Sequence, residues 1–142
     1  MRGLAAFLII LCLCGTAYAE IDLHTIASIE SSHNPNAFNR HSKARGLYQI
    51  TPICLRDYNQ FHPTKYTTKD LFNPAVNEQI AKWYLQSRIP RLLAHYGAKP
   101  TTRNILVSYN AGINYVVKGL PLPSETVQYI RKYERRIYGS SL

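Results

Sequence analysis

The sequence predicts a mainly α-helical single domain, and three observations carry that expectation. Apolar residues recur at three- and four-residue spacing along nearly the whole chain. Helix start and stop signals punctuate them, among them Asn73-Pro74, Gly97, Pro121-Leu122-Pro123 and Gly139. Strand-like alternation never extends beyond a few residues, and no internal repeat or low-complexity linker divides the chain.

Each element follows in order. The first helix starts after Asp22, a good N-cap, and carries Leu23, Ile26, Ala27 and Glu30 along one face until Asn34-Pro35 ends it. From Asn36 to Pro52 the chain reads as irregular, with Gly46-Leu47-Tyr48-Gln49-Ile50 extended. A short helix over Ile53 to Phe61 leads into a polar connection through His62-Pro63. Asn73-Pro74 supplies an N-cap and a proline at the first helical position. Val76, Ile80, Trp83 and Tyr84 then form one apolar face, with Trp83 read as core. Pro90 interrupts or restarts that helix, Leu92, Leu93 and Tyr96 continue its face, and Gly97 supplies a left-handed stop. Ile105, Leu106 and Tyr109 mark another short helix ending at Ala111-Gly112. Ser124 caps the last helix, Glu125 sits in its first turn, and its basic residues fall toward the end that Gly139 closes.

Residues 1–19 read as an export signal. Arg2 precedes an apolar run from Leu4 to Cys14, and Ala17-Tyr18-Ala19 has the small-x-small form of a cleavage site. The run is shorter than the roughly 20 apolar residues of a spanning helix. A lipid anchor on Cys14 is disfavoured, because Leu13 stands where a small residue is wanted. Cleavage after Ala19 leaves residues 20–142 as the working domain, exported and periplasmic. Cys12 and Cys14 leave with the signal, so Cys54, between Ile53 and Leu55, has no internal partner and reads as a small buried hydrophobe.

The formal net charge is +9, or +8 once Arg2 has left. Such a surface favours polyanions, and for an exported protein these are the carboxylates and phosphates of the cell envelope. Nucleic acid is the poorer partner. The basic residues are scattered from Arg40 to Arg136, and their one dense cluster (Arg131, Lys132, Arg135, Arg136) fits the solvated face of a helix. The histidines at 24, 33, 41, 62 and 95 lack metal-ligand spacing, so no metal is expected. Phosphoryl transfer and serine hydrolysis lack a glycine-rich phosphate loop and a Gly-x-Ser-x-Gly turn, and no cofactor is implied.

Glu30 is the residue with chemical potential. It follows Ile26, Ala27 and Ile29 at the C-terminal end of its helix. Poor hydration and the negative end of the helix dipole both disfavour a carboxylate and raise its pKa, as a general acid near neutrality requires. Periodicity alone also admits a solvated helix-end charge. Similar alternatives attend the other polar positions: Tyr109 as one core tyrosine among 11, Asn110-Ala111-Gly112 as a helix end, Glu125 as a first-turn charge.

The order of short motifs narrows the choice. Glu30-Ser31, Asn34-Pro35-x-Ala37, Gly46-Leu47-x-Gln49-Ile50, Asn73-Pro74, Tyr109-Asn110-Ala111-Gly112 and Glu125-Thr126-x-x-Tyr129-Ile130 follow one another from about Leu23 to Tyr133. Together they resemble the lytic transglycosylases of the soluble (Slt) type, which share the lysozyme-like fold. The resemblance implies that Glu30 is the single catalytic acid and base. It implies that Ser31, Tyr48 and Gln49 lie along the substrate cleft, with Tyr109 and Asn110 on its opposite wall and Glu125 and Tyr129 supporting its floor. Three positions depart from the family pattern: Tyr48 stands where methionine is usual, Asn39 where serine is usual, and the segment Arg40 to Arg45 is one residue longer.

The activity so implied is cleavage of the β-1,4 bond between N-acetylmuramic acid and N-acetylglucosamine in peptidoglycan, with a 1,6-anhydromuramyl end as product. A hydrolytic lysozyme using the same Glu30, or a non-catalytic peptidoglycan-binding subunit, are the alternatives. The expected partners are peptidoglycan glycan strands acted on by a monomer. The expected setting is a secretion, conjugation or pilus machine that needs the wall opened.

Overall fold

The computed structural model describes residues 20–139. The expected export signal, residues 1–19, lies outside them. Among the described residues there are seven α-helices: α1 (Leu23–Ser31), α2 (Pro52–Phe61), α3 (Pro74–Trp83), α4 (Ile89–His95), α5 (Thr102–Asn110), α6 (Asn114–Val117) and α7 (Ser124–Tyr138). A 3₁₀ turn, Asp70–Phe72, precedes α3. Among the described residues β-structure is confined to two isolated bridges, Phe38 with Arg45 and Arg45 with Ile50. The molecule is mainly α, as its periodicity predicts.

Local capping explains where the helices begin. Asp22 Oδ2 accepts the Thr25 N–H at 2.8 Å, and hydrogen bonding from Thr25, its side chain first and then this N–H, holds the Asp22 pKa below its ordinary value. Thr51, Asn73 and Thr101 cap α2, α3 and α5 in the same way, and Pro52 and Pro74 occupy first-turn positions where no N–H is needed. The last helix departs from expectation. Its cap position is Pro123, whose carbonyl accepts the Val127 N–H at 3.1 Å, so Ser124 is already helical and caps nothing. α1 also stops earlier than Asn34-Pro35 suggests. Ser32 and His33 both adopt left-handed backbone (φ 52° and 60°), and their N–H groups close on the Ser28 and Ala27 carbonyls.

Pro90 stands in the first turn of α4, where α-helical bonding restarts as the sequence predicts, yet the helical path is not broken there. Residues Tyr84–Arg88 form a π-helical turn joining α3 to α4, in which the Ile89 N–H reaches back to the Tyr84 carbonyl. The wider turn accommodates a residue that lacks an N–H and would crowd the carbonyl four positions earlier. The same turn carries Tyr84 and Arg88 to α2. Tyr84 Oη donates to Asp57 Oδ2 at 2.6 Å, and Arg88 binds both carboxylate oxygens of Asp57 at 3.0 Å. Cys54 packs against the core beside this pair, and burial pushes its thiol pKa well up. Trp83 also packs against the core, edge-on to Tyr58 at 5.3 Å.

One hydrophobic cluster unites these elements, drawing Ile26 and Ala27 from α1, Leu55 and Tyr58 from α2, and Ile130 and Tyr133 from α7. At its centre runs α5, where Ile105, Leu106, Val107 and Ser108 are buried in succession. Four consecutive buried positions mean a helix enclosed on every side. Each fully buried Leu or Ile stabilises the fold by about 1.5–3 kcal/mol relative to exposure. α1 packs against α7, and α5 against α4, α6 and α7. The C-terminal end of α1 and the middle of α7 therefore meet near the end of α5.

Candidate active site

The sequence predicts an extended segment over residues 46–50, and the structure instead folds it into a closed turn. Arg45 and Ile50 exchange both main-chain hydrogen bonds (3.0 and 3.1 Å), and the Gln49 N–H donates to the Gly46 carbonyl at 3.2 Å. The cause is a distant residue, Asn77 on α3, which is fully buried. Its Oδ1 accepts the Tyr48 N–H at 2.8 Å, and its Nδ2 donates to the Arg45 and Leu71 carbonyls, both at 2.8 Å. Gly46 is obligatory beside it. Its φ is +79°, and a Cβ there would stand 2.3 Å from both Asn77 Nδ2 and the Leu71 carbonyl oxygen.

This turn is fastened to the end of α1. Ser31 Oγ donates to the Leu47 carbonyl at 2.8 Å and to the Ala27 carbonyl at 3.2 Å. From the other side Tyr109 Oη, on α5, donates to the Tyr48 carbonyl at 2.7 Å. Gln49 stays at the turn, its Nε2 bonded to the Gly46 and Ala37 carbonyls at 3.1 and 3.4 Å. Tyr48 corrects an expectation. It was grouped with the cleft residues, yet it is only 4% exposed and belongs to the core cluster. Asn110 Oδ1 accepts the Thr126 hydroxyl at 2.8 Å, which ties the end of α5 to the first turn of α7.

Glu30 sits at the junction of these pieces, in the last turn of α1. Burial of its carboxyl raises the pKa from an ordinary 4.5 to about 7. An interaction with the Tyr129 hydroxyl opposes that rise, and the negative charge of Glu125 adds to it. Tyr129 is buried on α7, and among the described residues its hydroxyl has no hydrogen-bond partner of normal length. Burial, then the Glu30 charge, push the Tyr129 pKa well above its ordinary value, and both also act on Tyr109. Both phenols therefore remain neutral donors. Glu125 is exposed at the start of α7, close enough to act on Glu30 by charge.

The structure thus gathers Glu30, Tyr109 and Tyr129, brings Ser31 and Gln49 alongside through the turn, and connects Asn110 through Thr126. Asn77 is not singled out from the sequence, and Thr126 enters there only as part of the Glu125-Thr126-x-x-Tyr129-Ile130 motif. The signal for Asn77 was an amide standing between Val76 and Ile80 on an apolar helix face. Among the described residues no three His, Cys, Asp or Glu side chains gather as a metal site. Two concavities of about 500 Å³ lie elsewhere and include neither Glu30 nor Tyr129. One lies between the start of α1 and the end of α7, the other between α5 and α6.

A poorly hydrated carboxyl poised near neutrality, beside a Tyr129 hydroxyl that has no hydrogen-bond partner of normal length among the described residues, is equipped to give and retake one proton. The family model described as the transglycosylase SLT domain matches residues 16–124, which include Glu30, Ser31, Gln49, Tyr109 and Asn110 and stop short of Glu125 and Tyr129. No curated protein and no solved structure matches the chain. The chain belongs to the transglycosylase SLT domain family, the peptidoglycan lytic transglycosylases with a lysozyme-like, all-α fold.

Proposed function

We propose that the protein cleaves the β-1,4 bond between N-acetylmuramic acid and N-acetylglucosamine, with Glu30 as its only acid and base. The observation that carries this reading is the Glu30 carboxyl, held near pKa 7 by burial, beside the unpartnered Tyr129 hydroxyl. Most glycosidases use two carboxylates, and substrate-assisted enzymes are the exception. Here the nearest acidic neighbour, Glu125, is exposed, which suits a charge that modulates Glu30 better than a second catalytic group.

Protonated Glu30 donates to the glycosidic oxygen, and the bond from that oxygen to the muramyl C1 breaks. The muramyl N-acetyl oxygen meets the positive charge at C1. Glu30 is now a carboxylate in a poorly hydrated site, where the Tyr129 hydroxyl can donate to it. The carboxylate then takes the proton of the same sugar's C6 hydroxyl as O6 bonds to C1. Glu30 ends protonated, the muramyl end carries a 1,6-anhydro ring, and no water is consumed. Export through the leader-like residues 1–19, and service to an envelope machine that needs a local opening in the wall, belong to the same proposal.

Mass spectrometry of the fragments released from purified peptidoglycan tests it. Muropeptides lighter by one water than hydrolysed ones are the expected product, absent with Glu30→Gln. Free reducing ends would make the enzyme a lysozyme with the same acid, and full activity of Glu30→Gln would remove Glu30 from the chemistry.

A further inference from the structure

Residues 38–45 form a preorganised basic loop rooted beside Glu30. Phe38 and Arg45 pair across it, and the Asn39 N–H donates to the Ala44 carbonyl at 3.0 Å. Asn39 Oδ1 accepts the N–H groups of His41 and Ser42 at 2.9 and 3.1 Å, so the loop is closed from within. The departure from serine at position 39 is thereby explained, since the amide reaches two donors in a loop one residue longer. Arg40, His41, Ser42 and Lys43 are all exposed, and Lys43 is held in left-handed backbone at φ 60°. The Arg45 guanidinium lies 4.9 Å from the centre of the Phe38 ring, with the Lys43 ammonium 6.0 Å from the same ring. At its base, the Gly46 N–H donates to the Ala37 carbonyl at 2.9 Å. The next residue, Leu47, receives the hydroxyl of Ser31, the neighbour of Glu30.

The charge on this loop is unbalanced. No Asp or Glu occurs between Glu30 and Asp57. Among the described residues the one ion pair joins Asp57 to Arg88, so Arg40, Lys43 and Arg45 have no carboxylate of their own. Cations held on a closed loop next to a glycan-cleaving site lose little entropy on meeting an anion that the substrate carries. Peptidoglycan carries such anions at every peptide-bearing muramyl residue.

We propose that the 38–45 loop binds the carboxylates of the stem peptides, so that the enzyme selects charged, peptide-bearing strands. The proposal rests on the lytic transglycosylase reading and names the substrate form that the site prefers. Arg40→Gln with Lys43→Asn removes two charges, and asparagine tolerates the left-handed backbone at position 43. Arg45 is kept because it packs on Phe38.

The test compares wild type and this double variant on native peptidoglycan and on the same material with its carboxylates converted to amides by carbodiimide and ammonia. Wild type should lose roughly five- to tenfold in kcat/KM on amidation at low ionic strength. The variant should cut both materials at one similar, lowered rate. A wild type indifferent to amidation, or a variant that keeps the wild-type preference, overturns the proposal. If wild type cuts neither material, the transglycosylase reading fails instead. Co-sedimentation with the two materials then decides carboxylate binding: stronger retention of wild type on the native form supports it, equal retention refutes it.

Discussion

Replacing Glu30 with Gln is expected to abolish cutting and, above neutral pH, to stabilise the fold. Burial holds the Glu30 pKa at about 7 against an ordinary 4.5. The native state thus binds this proton more tightly than the unfolded chain does. The stability linked to it is fully present below pH 4.5 and is lost as the pH rises through about 7. At pH values well above 7 the interval between those two pKa values corresponds to about 3 kcal/mol. Gln fills the same space and never ionises, so the variant avoids that loss. It should match wild type at about pH 4 and exceed it by about 3 kcal/mol at about pH 8, a Tm difference of roughly 10 °C that appears only on the alkaline side. Thermal and urea unfolding followed by circular dichroism at several pH values measure it directly, with equal urea slopes as the check on a common unfolded state. A stability difference that does not change with pH would mean that Glu30 titrates as a solvated carboxylate, and the acid assignment would fall with it.

Three further predictions follow from the same contacts. Tyr129→Phe removes a hydroxyl that is buried without a partner, so unfolding at acid pH should show stability unchanged or raised by up to about 1 kcal/mol. Its kcat should nevertheless fall about tenfold or more, because the Glu30 carboxylate loses a donor. The alkaline limb of kcat/KM should also move to higher pH, since Tyr129 acts to lower the Glu30 pKa; an unmoved limb would separate Tyr129 from the acid. Asn77→Ala leaves the Leu71 carbonyl and the Tyr48 N–H without their partner and the Arg45 carbonyl with the Ile50 N–H alone. Urea unfolding should show a loss of about 3 kcal/mol, and a loss under about 1 kcal/mol would mean that the turn is held by other contacts. Co-sedimentation of the protein with purified wall should weaken steeply between low salt and about 0.5 M salt, because exposed charges are screened beyond a few ångströms there; salt-independent retention would mean that the +9 chain is not held by charge.

What could be read from the sequence was what local chemistry decides. Asp22 and Asn73 start helices because their own side chains meet N–H groups within a turn, Pro74 because its first-turn position needs no N–H, and those elements fall where the pattern puts them. Gly97 and Gly139 stop helices for an equally local reason, a backbone conformation with positive φ. The larger departures involve a partner far along the chain or a change in the ordinary hydrogen-bond count. Leu47-Tyr48-Gln49-Ile50 has strand-like composition, yet Asn77, 29 residues from Tyr48, gathers it into a turn. Pro90 looks like a break until the π-helical turn before it removes the clash. Glu30 lay between these cases. Its apolar flank was visible, but the burial that sets its pKa comes from a fold in which α7 and α5 close over the end of α1.

The same distinction explains why the motif residues are scattered over the chain. Several of them hold main chain: Ser31 binds the Leu47 carbonyl, Tyr109 the Tyr48 carbonyl, and Gln49 the carbonyls of Gly46 and Ala37. Asn110 holds Thr126. These bonds fix three separate segments around one carboxyl, and a carboxyl can be kept dry only if every wall of its site stays in place. Loss of such a fastener should therefore lower stability and turnover together. Tyr129 differs because, among the described residues, its hydroxyl has no hydrogen-bond partner of normal length. At acid pH its removal should cost turnover and no stability, and that separation of the two effects is what marks a group reserved for the charged state of Glu30.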